Sequence, residues 1–420
     1  MSGASEAARR AIEAVWRIES ARLIGGLARM VEDVGLAEDL AHDALIAAME
    51  RWPRTGIPEN PGAWLMATAK HRAIDQLRWR QRVERGRETL EAAVPAGLCV
   101  TAELEAALDD RVRDDLLRLV FIACHPVLSP DARVALTLRL LGGLTTEEIS
   151  RAFLAPEATI AQRIVRAKRT LTEARVPFEV PQGAEFSARL PSVLEVIYLV
   201  FNEGYAATEG DDWMRPELCE EALRLGRILA ELVPQEAEVH GLVALMELHA
   251  SRTRARVGPS GEPILLLDQD RSRWDRLLVG RGLAALARAE AMGRPMGPYA
   301  LQAAISGCHA RAPTAGETDW NRIVALYDAL VELTHSAVVE LNRAVAVSMA
   351  FGPAAGLELI EELVEEPTLS GYHLLPAVRG DLLAKLGRFE EARAQFEQAA
   401  FMAKNSRERA LLLARAKAGR

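Results

Sequence analysis

Apolar residues recur three and four positions apart through nearly the whole sequence of 420 residues. The spacing is clear over residues 12–31, returns over residues 116–140, and continues through most of the remainder. Such a period places apolar side chains on one face of an α-helix, and long alternating runs that would indicate strands are missing. Aromatic residues make up only 5% of the chain. We therefore predict an all-α protein, and its length indicates two or three domains.

The same sequence argues against export and membrane insertion. No apolar stretch approaches the roughly 18 residues that a membrane span needs, so we expect no contact with a membrane. The N-terminal residues carry scattered charges and no apolar core of a signal peptide, which favours a cytoplasmic location. The cysteines lie far apart and form no CxxC pair, so we expect reduced thiols at Cys99, Cys124, Cys219 and Cys308.

The formal net charge is −8, but the charge is unevenly distributed. Seven Lys and Arg residues lie between residues 70 and 87, and five lie between residues 163 and 175. Residues 183–420 hold 33 acidic and 26 basic residues, so the acidity belongs mainly to the C-terminal half. The two basic segments are compatible with contacts to phosphate, although solvated helix faces of an Arg-rich protein would look the same.

Proline, glycine and weak patterning divide the chain. An interruption is expected at Gly35, and the three prolines of residues 53–61 predict a loop. The Pro-containing segment 177–183 marks a boundary between domains. We predict four parts, namely an N-terminal helical bundle at 10–82, a linker at 83–110, a second helical domain at 111–176 and a helical extension at 183–420.

The extension ends in a pattern typical of tetratricopeptide repeats. Leu386, Gly387 and Arg388 precede a helix rich in Ala and Phe, and Gly352 lies 35 residues before Gly387. This separation is close to the 34-residue period of that repeat. A plain stack of helical hairpins would look similar.

Residues 144–171 have the pattern of a helix-turn-helix. Thr145 or Thr146 can cap a first short helix, and Pro156 forces that helix to stop. A second helix from about Glu157 then buries Ile160, Ile164 and Leu171. Its other face carries Thr159, Gln162, Arg163, Arg166 and Arg169, residue types that reach base edges and phosphates from the major groove.

This segment resembles the last conserved region of extracytoplasmic-function sigma factors, known as region 4. The resemblance rests on residues 148–150 (EIS), 159–160 (TI) and 166–168 (RAK), together with Arg163. It implies that the second helix binds the −35 promoter element. The implied DNA-binding residues are Thr159, Gln162, Arg163, Arg166, Lys168 and Arg169.

The N-terminal bundle is similar to region 2 of the same family. Residues 37–45 (AEDLAHDAL) resemble the helix that docks on core RNA polymerase, which implies polymerase-binding roles for Glu38, Asp39 and Asp43. Residues 61–78 look like the helix that faces the −10 element, with the preceding loop as a pocket for an unstacked base. The implied residues are Asn60, Trp64, Lys70, Arg72, Asp75, Arg78 and Arg80. For Trp64, a place in the core is the favoured alternative.

The extension resembles that of one sigma factor subgroup, through residues 201–205 (FNEGY) and 269–274 (QDRSRW) and the 386–388 unit. In that subgroup the extension is thought to set activity. The expected partners are therefore core RNA polymerase and promoter DNA. Because the extension is acidic and the link at 177–183 is short, we also expect an intramolecular contact between the extension and the sigma domains.

Other classes of function have weaker support. Cys124-His125 and Cys308-His309 could suggest a metal site, but buried thiols and capping imidazoles explain them better. The charged cluster at 269–275 could bind a small molecule, although a structural ion-pair network is favoured. We expect no catalytic residue, no metal and no cofactor. The alternative is a helical-repeat scaffold or small-molecule-binding protein with a DNA-binding domain of another kind.

Overall fold

A computed structural model of the chain describes residues 3–84, 114–153, 155–207, 213–259 and 261–418. The side chains of residues 3–10, 76–84 and 418 lie outside this description. Over these ranges the regular structure is helical, apart from isolated β-bridge residues such as the pair Val257 and Pro263. The all-α prediction is confirmed. The chain divides into two compact units, Met1–Val196 and Ile197–Arg420.

The first unit contains seven described helices and the beginning of an eighth. Most of them match segments in which the sequence has a helical period. The helices are α1 (Gly3–Val31), α2 (Val34–Thr55), α3 (Pro61–Glu84), α4 (residues 114–123), α5 (Pro130–Leu140), α6 (Thr146–Ala152), α7 (Glu157–Glu173) and α8 (Gly183–Tyr205).

Two predicted boundaries in the N-terminal bundle were wrong. The break expected at Gly35 occurs at residues 32–33, because the Asp33 side chain caps α2 and accepts a hydrogen bond from the Leu36 N–H at 2.9 Å. The loop expected over 53–61 begins only at Gly56, because α2 continues through Pro53 to Thr55. Pro53 has no N–H to donate to the carbonyl four residues earlier, and the helix ends two residues after it.

The start of α3 agrees with the sequence. Pro61 is its first residue, and the Asn60 side chain accepts a hydrogen bond from the Ala63 N–H at 3.0 Å. The predicted linker at 83–110 lies outside the described residues from residue 85 onward, as do residues 111–113 of the second predicted domain.

The beginning of α8 belongs to the first unit and packs on α4. Arg189 donates to the Phe121 carbonyl at 2.9 Å, and Ser192 donates to the Cys124 carbonyl at 2.7 Å. The Phe121 and Phe186 rings lie 5.2 Å apart between their centroids. The division between the units therefore falls after Val196, inside α8, and not at the loop of residues 177–183.

The second unit continues from α8 with ten further α-helices over its described residues. They are α9 (Pro216–Leu232), α10 (Ala237–Ala250), α11 (Arg276–Ala291), α12 (Pro298–Arg311), α13 (Trp320–Thr334), α14 (Ala337–Phe351), α15 (Pro353–Leu363), α16 (Leu374–Lys385), α17 (Phe389–Met402) and α18 (Ser406–Ala418).

Tight turns join α14 to α15 and α16 to α17. Gly352 and Gly387 occupy these turns with φ of 98° and 77°, a conformation that glycine adopts at little cost. Ile360, Phe396 and Ala399 belong to one buried cluster formed by these helices. Among the helices described, none is long and apolar enough to cross a membrane.

Candidate nucleic-acid interface

The helix-turn-helix forms with the predicted caps and core. Thr145 accepts a hydrogen bond from the Glu148 N–H at 3.1 Å, and the Glu148 side chain accepts one from the Thr145 N–H at 2.8 Å. This reciprocal capping box starts α6. Ile149 in α6 is buried, and α7 buries the predicted Ile160, Ile164 and Leu171.

The opposite face of α7 carries the candidate DNA-binding residues. Gln162, Arg166 and Arg169 are exposed, while Thr159 and Arg163 are half-buried. Arg163 forms an ion pair with Asp131 at 3.0 Å, and Arg169 pairs with Glu173 at 2.6 Å. Among the described residues, Arg166 makes no ion pair. Its guanidinium is therefore the one on this face that no carboxylate of the described residues pairs with.

Val165 belongs to the same exposed face, and sequence reasoning missed it. Its side chain is 63% exposed in the middle of the helix, next to Gln162, Arg166 and Arg169 at helical spacing. A valine normally indicates a core position, but Ile160 and Ile164 already define the buried stripe, and Val165 lies off it. An exposed apolar side chain on such a helix can contact a thymine methyl group.

Lys168 does not share this face. Two residues along a helix turn the side chain by about 200°, so Lys168 lies away from Arg166. It points to α2, where its ammonium group forms an ion pair with Glu38. Lys168 and Glu38 were predicted to bind DNA and polymerase, and here they bind each other.

Glu38 is the centre of a buried ionic cluster. Its residue is 2% exposed, and its carboxylate accepts a hydrogen bond from Arg139 of α5 at 2.6 Å. Arg139 also contacts His42 at 2.9 Å. Burial opposes the charged form of Glu38, but the charges of Lys168 and Arg139 outweigh it and lower the pKa of the carboxyl group. The carboxylate therefore stays ionised between the N-terminal bundle and the helix-turn-helix domain.

Two further ion pairs join the same two regions. Arg17 of α1 contacts Glu148 of α6 at 2.8 Å, and Arg29 of α1 contacts Asp115 of α4 at 2.9 Å. The backbones also come close at Gly25, where an added Cβ would lie 3.0 Å from the Asp115 carbonyl oxygen.

The other predicted polymerase-binding residues occupy the outer face of α2. Asp39 and Asp43 are exposed, and Asp43 pairs with Arg72 of α3 at 3.1 Å. Ile46 and Met49 continue this face and are 52% and 45% exposed. These two residues were not predicted. The helical spacing of these two apolar residues from the acidic ones could have indicated that they share one face.

The helix expected to face the −10 element is α3. Lys70, Arg72 and Asp75 are exposed along it. Trp64 is half-buried and packs edge-on against the buried Trp52, with 5.3 Å between ring centroids. The Asn60 side chain caps the start of α3. The side chains of Arg78 and Arg80 lie outside the described residues.

The charged cluster at 269–275 is not the ion-pair network that we favoured. Asp270 and Asp275 accept hydrogen bonds from the backbone N–H groups of Ser272 and Leu277, each at 2.9 Å. Arg271 donates to backbone carbonyls, including that of His309 at 2.6 Å. The two aspartates cap local turns instead of pairing with arginines. The charge pattern alone does not distinguish these two roles.

The Cys-His pairs do not form a metal site in the described part of the chain, where no group of three metal-ligating side chains occurs. Cys124 is buried, its thiol lies 3.4 Å from the Thr137 hydroxyl, and burial raises its pKa to about 11. Cys308 and His309 are both buried. The capping imidazole that we expected occurs at His125, whose Nδ1 accepts a hydrogen bond from the Val127 N–H at 3.1 Å, whereas Nδ1 of His309 has no partner in the described structure.

Family models match three segments of the chain. The model described as "Sigma-70 region 2" matches residues 17–83, "Sigma-70, region 4" matches residues 118–171, and "Family of unknown function (DUF6596)" matches residues 189–290. Both sigma matches fall on the two helical regions that the Glu38 cluster joins. The chain is an extracytoplasmic-function sigma factor with a C-terminal extension.

Curated relatives agree with this assignment. An uncharacterized protein of Rhizobium meliloti is 43% identical over 396 residues, which cover 93% of this sigma factor and 91% of that protein. "Probable ECF RNA polymerase sigma factor SigI" of Mycobacterium tuberculosis is 29% identical over 40% of this chain and 57% of its own length. "RNA polymerase sigma-H factor" of Pseudomonas aeruginosa is 29% identical over 37% of this chain and 81% of its own length.

The sigma factor thus has the domains for promoter recognition and transcription initiation with RNA polymerase. Sigma factors act by binding and are not enzymes. The Rhizobium meliloti relative matches most of the extension, whereas the matches to the other two relatives span only about two fifths of the chain.

Proposed function

We propose that the exposed face of α7 reads the −35 element, with Arg166 as its principal contact. The observation that supports this is the combination of Gln162, Val165, Arg166 and Arg169 on one solvent-facing stripe. Gln and Arg recognise base edges by paired hydrogen bonds, and Val contacts a thymine methyl group. Thr159 and Arg163 extend the stripe toward the start of the helix. On binding DNA, Arg163 leaves its ion pair with Asp131 and contacts a backbone phosphate.

The outer face of α2 is proposed as the polymerase-docking surface. Asp39 and Asp43 supply charge, and Ile46 and Met49 supply the apolar area that protein interfaces bury at their centre. Along α3, Lys70, Arg72, Arg78 and Arg80 would hold the backbone near the −10 element, with Asp75, Asn60 and Trp64 beside them. Trp64 fits packing against Trp52 better than base stacking.

Glu38 and Lys168 give this proposal a conformational step. Their ion pair lies in the contact between the N-terminal bundle and the helix-turn-helix domain, away from the exposed faces of α2 and α7. We propose that regions 2 and 4 separate when the factor binds core polymerase. Separation releases Lys168 for the DNA backbone, and it exposes Glu38 to solvent beside Asp39.

The extension is proposed to set the activity of the sigma factor in the cytoplasm. Its hairpins at Gly352 and Gly387 are compatible with tetratricopeptide-like units 35 residues apart. An intramolecular contact between the extension and the sigma domains stays a prediction.

Reconstituted transcription tests the assignment of both surfaces. Promoters are first selected from a random DNA library with core polymerase and the full chain. Arg166→Ala should weaken promoter binding by about 1–3 kcal/mol, or about 5-fold to 150-fold, because a base or phosphate contact is lost. Asp39→Lys should abolish binding to core polymerase with an unchanged helical circular dichroism spectrum.

The matched control is Arg281→Ala, which removes an exposed arginine from α11 in the extension. It should leave promoter affinity unchanged. Equal promoter affinity of Arg166→Ala and the control would refute the recognition-helix proposal. Normal core binding by Asp39→Lys would refute the docking surface.

A further inference from the structure

The two sequence motifs that mark the extension meet at Arg252. Tyr205 ends the first motif and Trp274 ends the second, and the Arg252 guanidinium carbon lies 5.9 Å from the centre of each ring. Arg256 stacks on Tyr205 at 3.5 Å, and Arg271 lies 5.0 Å from the Trp274 ring. Two aromatic rings and three guanidinium groups thus form one cluster in the second unit.

The three arginines are buried, and the nearest acid that acts on them, Glu317 beside Arg271, forms no ion pair with them. Arg252, Arg256 and Arg271 are 7%, 7% and 9% exposed. Arg271 donates to the His309 and Ala312 carbonyls at 2.6 and 2.5 Å, and Arg256 donates to the Tyr205 carbonyl. Within the described part of the chain, no carboxylate forms an ion pair with any of the three, and the Arg252 guanidinium makes no hydrogen bond.

Neighbouring imidazoles show that this positive charge acts on its surroundings. Burial, together with Arg252 and Arg271, lowers the pKa of His309 to about 4. Burial, Arg252 and Arg256 hold the pKa of His249 well below its usual value. The histidines respond by staying neutral, which an arginine cannot do. Buried charges in proteins are normally paired. The cluster therefore carries a positive charge that a bound anion would neutralise.

The unpartnered polar atoms of the cluster are mostly donors. Nε of Arg252, Nε of Arg271 and Nε1 of Trp274 are buried without a hydrogen-bond partner in the described structure. Nδ1 of His309 and Nδ1 of His249 are also unpartnered, and each can carry a proton in the neutral ring. A ligand that satisfies them needs several oxygen acceptors and negative charge.

We propose that the extension binds a phosphate group at the Arg252 guanidinium, beside the Tyr205 and Trp274 rings. A phosphate offers multiple acceptor oxygens and a double negative charge, which a carboxylate does not match. Arg271 is fixed at this site, since its Nη1 donates to the His309 and Ala312 carbonyls and its Nη2 donates to the Thr318 hydroxyl. Arg252 supplies the unpaired charge. The phosphate is either the free ion or part of a small phosphate monoester.

Calorimetry and thermal unfolding of the full chain test the site, with inorganic phosphate and glycerol phosphate as probes. Sodium chloride at the same ionic strength is the reference. A probe at 100 times its Kd should raise Tm by roughly 5 °C. Arg252→Met should lose this rise, yet its Tm in chloride should equal or exceed that of the wild type, because an unpaired buried charge is gone. A purely structural arginine would lower Tm in chloride.

The matched control is Arg343→Gln, which removes an arginine paired with Asp328 at 2.6 Å in the same unit and should keep the response to phosphate. Arg252→Lys retains the charge without the planar donors and should bind roughly tenfold more weakly. If Arg252→Met does not fold, the isotherm of Arg252→Lys decides the question. Binding of glycerol phosphate alone identifies a monoester site, and comparable binding of both probes identifies a site for free phosphate. The proposal is overturned if neither probe binds the wild type, or if the Arg252 variants bind like it.

Discussion

Glu38 in the first unit and Arg252 in the second are both buried charged residues, with 2% and 7% of their surfaces exposed. Glu38 contacts Arg139 and Lys168, so its cluster contains charges of both signs. Arg252 has Arg256, Arg271 and neutral imidazoles as charged or titratable neighbours. In the first cluster the chain itself supplies the opposite charges, and in the second cluster it does not.

The difference teaches what a buried charge can do. A pair of opposite charges between two domains is stable while the domains touch, and each partner can find water or another ligand when they part. A set of like charges cannot be satisfied by any rearrangement of its own members. It therefore indicates a binding partner from outside the cluster. The Glu38 cluster suits a contact that opens, and the Arg252 cluster suits a ligand site.

The largest effect is expected from Glu38→Ala. It leaves Arg139 and Lys168 without their shared carboxylate, and breaking a buried pair costs about 3–5 kcal/mol. The free energy of unfolding of the first unit, measured with urea, should fall by that amount. Core polymerase should bind this variant more tightly than the wild type, because less free energy is needed to separate regions 2 and 4.

The control is Asp39→Ala, on the exposed face of the same helix, which should change stability by less than about 0.5 kcal/mol. Equal stability of the two variants would show that the Glu38 cluster does not hold regions 2 and 4 together. Weaker core binding by Glu38→Ala would place Glu38 in the docking surface directly and remove the opening step.

The same two clusters show how far sequence reasoning reaches. The capping box at Thr145 and the buried stripe of Ile160 and Ile164 were predictable, because caps and helical periods depend on residues within one or two turns. The contact of Glu38 with Lys168 joins residues 130 positions apart, so no local pattern contains it. An amphipathic helix has two charged edges, and the sequence does not say which one meets another domain.

The extension shows the same limit at its candidate site. The two motifs around Tyr205 and Trp274 are visible in the sequence, and so is the charge of the second motif. Their acids looked like partners for Arg271, whereas Asp270 and Asp275 cap local backbone instead. The central residue, Arg252, lies in neither motif. Only the fold brings it between the two rings.

The next largest effect is the loss of folding stability as pH falls, which should differ between the units that contain the two clusters. The folded-state pKa of His309 is about 4, below its usual value near 6.5. The unfolded chain therefore takes up a proton first as pH falls, and stability is lost from pH 6.5 down to about 4, by up to roughly 3 kcal/mol. Glu38 also has a lowered pKa, so its contribution is present at neutral pH and is lost only below the usual carboxyl range, near 4.5.

Mild acid should therefore destabilise the second unit, which holds His249 and His309, more than the first, where burial lowers the pKa of the half-buried His125. Urea unfolding at pH 7.5 and pH 5 measures the difference. Arg252→Met should raise the pKa of His309 in an NMR titration and reduce this pH dependence, while Arg343→Gln should not. Saturating phosphate should raise the same pKa in the wild type. An unchanged His309 titration in Arg252→Met would mean that burial alone causes the shift, and the contrast between the clusters would lose its electrostatic basis.

The smallest effect is expected at the edge of the interface between regions 2 and 4. Arg17 is 61% exposed where it pairs with Glu148, so water and salt screen the attraction. Arg17→Ala should lower the free energy of unfolding by only about 0.2–1 kcal/mol at 0.1 M salt, because Glu148 keeps its hydrogen bonds to Thr145. The loss should be smaller at 1 M salt, because salt screens the ion pair. Arg22→Ala is the matched control, since Arg22 is exposed on the same helix and makes no ion pair among the described residues. If Arg17→Ala instead costs as much as Glu38→Ala, exposed pairs hold the two regions together, and the burial of Glu38 is not what distinguishes its cluster.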